Sequence, residues 1–429
     1  MNKDCPKTLQ IEVTNECNFN CQMCIRRVWN AKPENLNLDL YKKIVEAISQ
    51  CLDKLILYGL GEPLLNPNFL NMLKIARRKL PKDCEISVST NGSLLNQKLA
   101  ERILRIGIDD ISFSIDTSDL TKLKYIREGS EPTKLIKNFR YLARMKRLNR
   151  DLFKLGIEAV VMKDNFMDLP SLVVDAANEG VDYVLVSHVV PYTERIFQNA
   201  VYITLSRRSF EIIQSALNYG QKIMLEAVYE TFGRAYGINI ESRASNIVRG
   251  FWSEAEKDGY WINLPLLFES IDKIAVIHDV ERIFILSQKL AHEYEVELRL
   301  PNLYPDAKDR SCPYVDKEIM FVRSDGAVTP CIEFSYKHPV YINSHVKTVN
   351  PVILGDLNEE NVGDVWNKEN YLAFREIRRK MSENIPWCGD CLYSSLRCFF
   401  AETNSIDCYV NEPSCSECLY SVKIAQCNV

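Results

Sequence analysis

Residues 9–14, Leu9-Gln10-Ile11-Glu12-Val13-Thr14, run almost directly into Cys17-Asn18-Phe19-Asn20-Cys21-Gln22-Met23-Cys24, and that junction decides the fold. The first six residues read as a strand, so the cysteines stand on a loop at its C-terminal end, where parallel α/β barrels build their chemistry. Three thiolates spaced C-x3-C-x2-C can hold three irons of a [4Fe–4S] cluster and leave the fourth open to a small chelating molecule. A zinc site would want a fourth ligand nearby, and no Cys or His follows before Cys51.

Downstream of the loop, short apolar strands alternate with amphipathic helices. Asn37 caps a helix with Leu40, Tyr41, Ile44, Val45 and Ile48 on one face. The strand at 54–58 runs into Gly59-Leu60-Gly61-Glu62-Pro63, which lacks the third glycine of a dinucleotide loop. A helix over 69–80 leads to a strand over 85–89 and Thr90-Asn91-Gly92. A second helix ends at Gly107, before a strand over 110–116. A helix over 133–149, a strand over 155–162, a helix to Gly180 and a strand over 183–186 with Ser187-His188 complete the series. Six β/α units predict a partial (β/α)6 TIM-like barrel, open at one side.

The helix around Thr133 to Arg150 carries Lys134, Lys137, Arg140, Arg144, Lys146, Arg147 and Arg150, with no acid between Glu131 and Asp151. It fits either the solvated outer face of a barrel helix or a docking face for an acidic electron donor. From 205 to 298 the βα rhythm stops. Phe210, Ile213, Ala216 and Leu217 recur at helical spacing, as do Ile283, Leu286, Leu290 and Tyr294. A mostly helical insertion without a chemical motif is expected over 205–305.

The chain has 429 residues, 26% of them charged, and a formal charge of -4, which argues against general nucleic-acid binding. No run of 18 apolar residues suggests a membrane span, and Met1-Asn2-Lys3-Asp4-Cys5-Pro6 has no hydrophobic signal region, so a cytoplasmic protein is expected. In a reducing compartment 15 cysteines read as metal ligands before disulfides. Cys5, Cys51 and Cys84 stand apart and are expected as buried small residues. Nine others lie between Cys312 and Cys427.

Taken in order, these segments resemble the radical S-adenosylmethionine (SAM) enzymes. The resemblance implies that Cys17, Cys21 and Cys24 ligate the catalytic cluster, and that Gly59, Gly61 and Glu62 meet the SAM ammonium through backbone carbonyls. It places Thr90 and Asn91 by the ribose, Ser114 and Arg127 at the polar end, and Asn165 nearby. A guanidinium at Arg127 suits a carboxylate. The tail opens with Cys312 and Gly326-x4-Cys331 and resembles the SPASM auxiliary-cluster domain, with Gly355, Trp366, Phe374 and Arg375 in the same region. Its second half departs from that pattern, because the gaps after Cys391 and Cys398 are six and nine residues. Candidate ligands there are Cys312, Cys331, Cys388, Cys391, Cys398, Cys408, Cys415, Cys418 and Cys427, enough for two further [4Fe–4S] clusters. A zinc ribbon on Cys388, Cys391, Cys415 and Cys418 is the alternative.

Pro386-Trp387-Cys388-Gly389-Asp390-Cys391, Asp407-Cys408, Cys415-Ser416-Glu417-Cys418, Gln426-Cys427 and Pro191-Tyr192-Thr193-Glu194 look like the tungsten-cofactor oxidoreductase maturases within the SPASM group. The resemblance covers about 8–204 and 306–428. It implies a barrel over 1–204, the helical insertion over 205–305 and a small cysteine-rich α+β SPASM-like domain over 306–429. The expected activity is reductive cleavage of SAM to a 5'-deoxyadenosyl radical, followed by hydrogen abstraction from a peptide, protein or metallopterin-type precursor. Ferredoxin or flavodoxin would supply the electron. His188 and Glu333 are candidate bases. A non-catalytic multi-cluster electron-transfer protein is the rival reading, and SAM binding separates the two.

Overall fold

A computed structural model of the chain describes residues 5–149, 152–233 and 242–429; the first four residues and Arg150 of the basic run fall outside these. Six strands carry the βα rhythm: β1 (Thr8–Ile11), β2 (Lys54–Ile56), β3 (Glu85–Thr90), β4 (Asp110–Ser114), β5 (Lys154–Val161) and β6 (Tyr183–His188). Between them run α1 (Leu38–Ala47), α2 (Phe69–Lys79), α3 (Gln97–Ile106), α4 (Leu120–Ile126), α5 (Pro132–Leu148) and α6 (Leu169–Glu179). Every neighbouring pair from β1 to β6 is parallel. All of β1, and all of β3 after Glu85, is buried, as expected of strands covered on both faces. The Asn37 carboxamide accepts from the amides of Asp39 and Leu40 and starts α1, whose Tyr41, Ile44 and Val45 face the core.

The sheet is wider than the six expected strands. β7 (Glu297–Arg299) adds in parallel to β6, and β8 (Ile319–Val322) adds in parallel to β1. β9 (Ala327–Thr329) returns antiparallel on β8 across the turn at Asp325-Gly326, where Gly326 takes a φ of +92°. β10 (His338–Ile342) and β11 (His345–Val349) make a separate hairpin, and β12 (Gly355–Asp356) pairs with β9. The order is β12-β9-β8-β1-β2-β3-β4-β5-β6-β7, with β12 and β7 at open ends. The barrel is therefore not closed.

The stretch after β6 is helical as expected, with helices Arg207–Ile213, Gln221–Gly233, Arg243–Lys257, Leu264–Glu269 and Ile271–Glu293. It ends in β7, and helix Ile271–Glu293 packs against α6, so this segment is also the crossover between two parallel strands. It braces the cysteine-rich tail too. Asp390, between two tail cysteines, accepts from the Ser206 amide at 2.7 Å and from its hydroxyl at 2.5 Å. Asn263 donates to the Cys391 carbonyl at 2.9 Å, and Trp387 to the Thr204 carbonyl at 3.2 Å.

One cysteine expectation fails. Cys5 and Cys51 are half-buried and joined as a disulfide, whereas Cys84 is buried and free. Parallel pairing explains it, because Lys7 accepts from the amides of Asp53 and Lys54, which draws the approaches to β1 and β2 together. No helix among the described residues is long and apolar enough to cross a membrane.

Candidate active site

The cysteine loop leaves the C-terminal end of β1 and is braced from one neighbouring segment. Asn20 donates to the Glu128 carbonyl at 2.7 Å and Gln22 to the Ile126 carbonyl at 2.8 Å. Arg26 reaches the carbonyls of Asn15 and Phe19, and Arg27 reaches the Cys21 carbonyl and the Glu128 carboxylate. Arg127, in the middle of the bracing segment, is thereby fixed beside the thiols. Burial pushes the Cys21 thiol up to about 12, and Arg127 opposes that shift. Cys17 and Cys24 are raised by burial as well. Protonated thiols must be deprotonated by the metal that binds them, so loading this loop releases protons.

The loops after β2 and β3 close on it. A Cβ on Gly61 would stand 2.3 Å from the Thr14 carbonyl oxygen and 2.6 Å from that of Glu16, so only glycine fits there. The Glu62 side chain turns inward. It accepts from the Thr90 hydroxyl at 2.6 Å and the Asn91 amide at 2.7 Å, and burial pushes its carboxyl up to about 7. Asn91 reaches back to Cys17 Sγ at 3.7 Å and to Asn18 at 3.0 Å. Thus Glu62, Thr90 and Asn91 tie two loops to the cysteine loop. Glu12, a fully buried acid directly after β1, carries no motif signal in the sequence. It accepts from the Leu60 amide at 2.9 Å and from the Tyr336 hydroxyl, so it hangs the glycine loop on both β1 and the tail.

Arg127 lies in a buried bidentate pair with Asp116, with Nε–Oδ2 at 2.7 Å and the second bond at 2.9 Å. Asn165 stands behind this pair. Its amide bonds the carbonyls of Asp116 and Val160 and the Met162 amide, which leaves it positioning Asp116.

An open cavity is lined by Cys21, Cys24, Gly59, Ser114 and Arg127 together with Glu158, His188, Tyr192, Tyr420 and Gln426. His188 is 1% exposed, its ring nitrogens complete no hydrogen bond, and burial pushes it down to about 3 against a smaller opposing effect of the Asn302 backbone. Glu333 is elsewhere: it pairs with His338 at 3.0 Å and lines a second space.

That second cavity is lined by Cys312, Cys331, Cys415 and Cys418. Burial raises Cys331 well above the usual thiol range, and Cys312, Cys415 and Cys418 add to the shift. Tyr420 and Val190 line both cavities, so a single layer of side chains separates them. Cys391, Cys398 and Cys408 lie together, since Cys391 and Cys398 both raise Cys408 after burial and Asp407. Cys388 neighbours Cys391, but burial and Glu417 dominate its upward shift. Cys427 is buried near Glu158, Tyr420 and Cys418 and is pushed up to about 12, chiefly by burial. The Cys415–Cys418 pair therefore faces Cys312 and Cys331, not Cys388 and Cys391 as a zinc ribbon would need. The donors are thiols in every set, which suits iron–sulfur clusters.

Residues 11–169 match the radical SAM superfamily, and residues 312–392 match the SPASM iron–sulfur cluster-binding domain. The chain carries a radical SAM domain and a SPASM domain. It is similar along almost its whole length to the tungsten-containing aldehyde ferredoxin oxidoreductase cofactor-modifying protein of Pyrococcus furiosus, with 27% identity over 432 residues, covering 99% of this chain and 97% of the relative. A GTP 3',8-cyclase of Sinorhizobium medicae is 30% identical over 188 residues, 42% of this chain and 50% of that relative. Among solved structures, native anSMEcpe with bound AdoMet aligns with a TM-score of 0.51 at 14% identity, covering 96% of this chain and 94% of that one. SuiB of Streptococcus suis bound to S-adenosylmethionine gives 0.52 at 14% identity, covering 87% and 68%. The radical SAM enzyme thus takes SAM and iron–sulfur clusters as its cofactors, and its fold is shared with those two proteins.

Proposed function

We propose that this chain is a maturase-type oxidoreductase that removes hydrogen from a metallopterin-type cofactor precursor, or from a peptide or protein side chain. The observation that carries the reading is the open cavity shared by two of the three loop cysteines and by Tyr192, Tyr420 and Gln426, next to the four-thiol cavity of the tail. The full-length relative, named for modifying a cofactor, favours the precursor over the peptide.

Cys17, Cys21 and Cys24 would hold a [4Fe–4S] cluster whose open iron takes SAM and, once reduced, yields the 5'-deoxyadenosyl radical. The Gly59–Glu62 loop presents carbonyls to the SAM ammonium, and Arg127, held rigid by Asp116, meets its carboxylate. Tyr420, Tyr192 and the tail shield the cavity from water. His188, neutral in its apolar wall, offers one donor and one acceptor to substrate. Cys312, Cys331, Cys415 and Cys418 would hold one auxiliary cluster, and Cys388, Cys391, Cys398 and Cys408 a second. Cys427 is left over and lies closer to the open cavity.

Anaerobic reconstitution, iron and sulfide analysis, and SAM with dithionite test this reading. About twelve irons per chain with 5'-deoxyadenosine formed is the expected result. Full loading without SAM cleavage would leave only electron transfer, and about four irons with zinc bound would remove the auxiliary clusters.

The electron enters, in this reading, through the basic face of α3 and α5. Lys98, Arg102, Arg105, Lys134, Lys137 and Arg144 are exposed there, and none of them has an acidic ion-pair partner among the described residues. Arg140 and Arg147 share Glu179, and Lys146 is buried against Asp182, so those three are structural. Asn138 on α5 donates to the Gly92 and Ser93 carbonyls, and Ser93 bonds Asn18 beside Cys17, which makes a short path inward. Reversing Lys134, Lys137 and Arg144 to glutamate is expected to slow SAM cleavage driven by a reduced acidic ferredoxin about tenfold at low salt. Dithionite-driven cleavage should be unchanged; equal loss with both reductants would remove this face from the reading.

A further inference from the structure

Three buried cations converge on the enclosed cavity. Arg378, with no exposed surface, donates from Nε to Cys415 Sγ at 3.2 Å, and its other nitrogens serve the carbonyls of Phe374 and Pro413. Arg310 donates to the carbonyls of Cys415 at 3.2 Å and Ile385 at 2.7 Å, while its Nε has no partner. Lys347 lines the cavity and donates to Glu417 at 3.1 Å. Glu417 is the one carboxylate paired with any of the three among the described residues; Glu333 also lines the cavity but pairs with His338. Arg378 and Arg310 thus hold their charge away from water with no carboxylate in an ion pair among the described residues, which is costly unless an anionic group sits beside them. Four thiolates holding a cluster would be such a group.

We propose that Arg378, Arg310 and Lys347 raise the reduction potential of the centre held in this cavity, so that it receives the electron released as the substrate is oxidised. The proposal rests on the reading that Cys312, Cys331, Cys415 and Cys418 carry a fully ligated cluster. A reduced cluster carries one more negative charge, so fixed cations in a low-dielectric interior favour reduction, and an N–H donor on a ligand sulfur acts in the same direction. The balance is simple. One hydrogen atom leaves the substrate as part of 5'-deoxyadenosine; the substrate radical then loses one electron to the auxiliary centre and one proton to water. The substrate is oxidised by two electrons, and the centre is reduced by one. With Tyr420 and Val190 shared between the cavities, that electron crosses a single side-chain layer. No arginine or lysine among the described residues donates to the sulfurs of Cys388, Cys391, Cys398 or Cys408; Lys347 and Arg310 also lie near Cys388, so the Arg378 bond to Cys415 is what sets the first thiol set apart. Arg378 is thus a positioning residue that tunes the acceptor.

The test uses the full reconstituted chain carrying Cys17→Ala, Cys21→Ala and Cys24→Ala, so that only auxiliary centres contribute signals in an EPR-monitored redox titration. Arg378→Gln is expected to shift the midpoint of one centre to more negative potential, with Lys347→Met giving a smaller shift in the same direction and Arg378→Lys smaller still. Iron content should not change in any of them, and in the Arg378 variants the other midpoint should not change either. Unmoved midpoints in both Arg378→Gln and Lys347→Met at full iron loading would overturn the proposal. If Arg378→Gln fails to assemble its clusters, Lys347→Met decides. Should Cys331→Ala remove no iron and alter no signal, the ligand reading itself fails and takes the proposal with it.

Discussion

Gly61→Ala is expected to lower SAM cleavage by about 100-fold, the cost associated with displacing reacting groups by roughly 1 Å. The added Cβ would meet the carbonyl oxygens of Thr14 and Glu16 at 2.3 and 2.6 Å, and neither is the flexible end of a side chain. Both belong to the segment entering the cysteine loop, and the Glu62 amide is bonded to that same Glu16 carbonyl at 2.7 Å. Relief therefore requires the glycine loop and the cysteine loop to part, which separates the carbonyls proposed to meet the SAM ammonium from the thiols proposed to hold the cluster. Gly363→Ala, where a Cβ meets nothing within 4 Å, serves as the control and should behave as wild type. Equilibrium dialysis of SAM against the reconstituted protein, with 5'-deoxyadenosine measured in parallel, checks both. Wild-type affinity in Gly61→Ala would show that the loop contact does not position SAM.

The barrel half was legible because its elements are long and periodic. Buried strands read as apolar runs, and helices such as α1 announce themselves with a cap and a stripe at 3.6 spacing. β7 and β8 were not legible. They are three and four residues long, and each becomes a strand only because an edge of the sheet is there to pair with. The same holds for Cys5 and Cys51, whose pairing follows from two strand approaches meeting in space. The helical segment looked free of chemistry because its contribution is made by single polar groups, Ser206 and Asn263, that reach a distant turn.

The cysteine loop and its supporting loops were found by order and spacing, but side-chain direction was not. Glu62 and Asn165 lie where the sequence put them, yet both spend their side chains on neighbouring loops. Spacing could supply nine tail thiols and could not sort them, since the sorting depends on how turns far apart in the chain fold together. Arg378 could have been suspected. In helix Glu369–Arg379 it falls at helical spacing with Tyr371, Phe374 and Arg375, all buried, so a cation stands on the apolar face. An arginine there needs an anion or a carbonyl, and that is a signal worth reading. Glu12 is the strand equivalent.

Asp116→Ala is expected to destabilise the protein by about 3 kcal/mol or more, because it leaves Arg127 charged and buried without its carboxylate. Asp116 Oδ1 also accepts from the Val160 amide at 2.9 Å, so the truncation strands a second donor. A loss of that size should lower the melting temperature of the reconstituted protein by about 3 °C or more. Adding Arg127→Met removes the uncompensated charge and keeps most of the side-chain volume. The double variant should therefore regain much of the lost melting temperature. SAM cleavage should not return with it. Arg127 lines the open cavity beside Cys21 and Cys24, and no thioether can replace a guanidinium facing a carboxylate. Stability and activity are thus predicted to separate: Asp116→Ala loses both, and the double variant recovers only the first. If cleavage recovered alongside the melting temperature, Arg127 would be a structural cation and the SAM carboxylate would need another partner on the cavity wall.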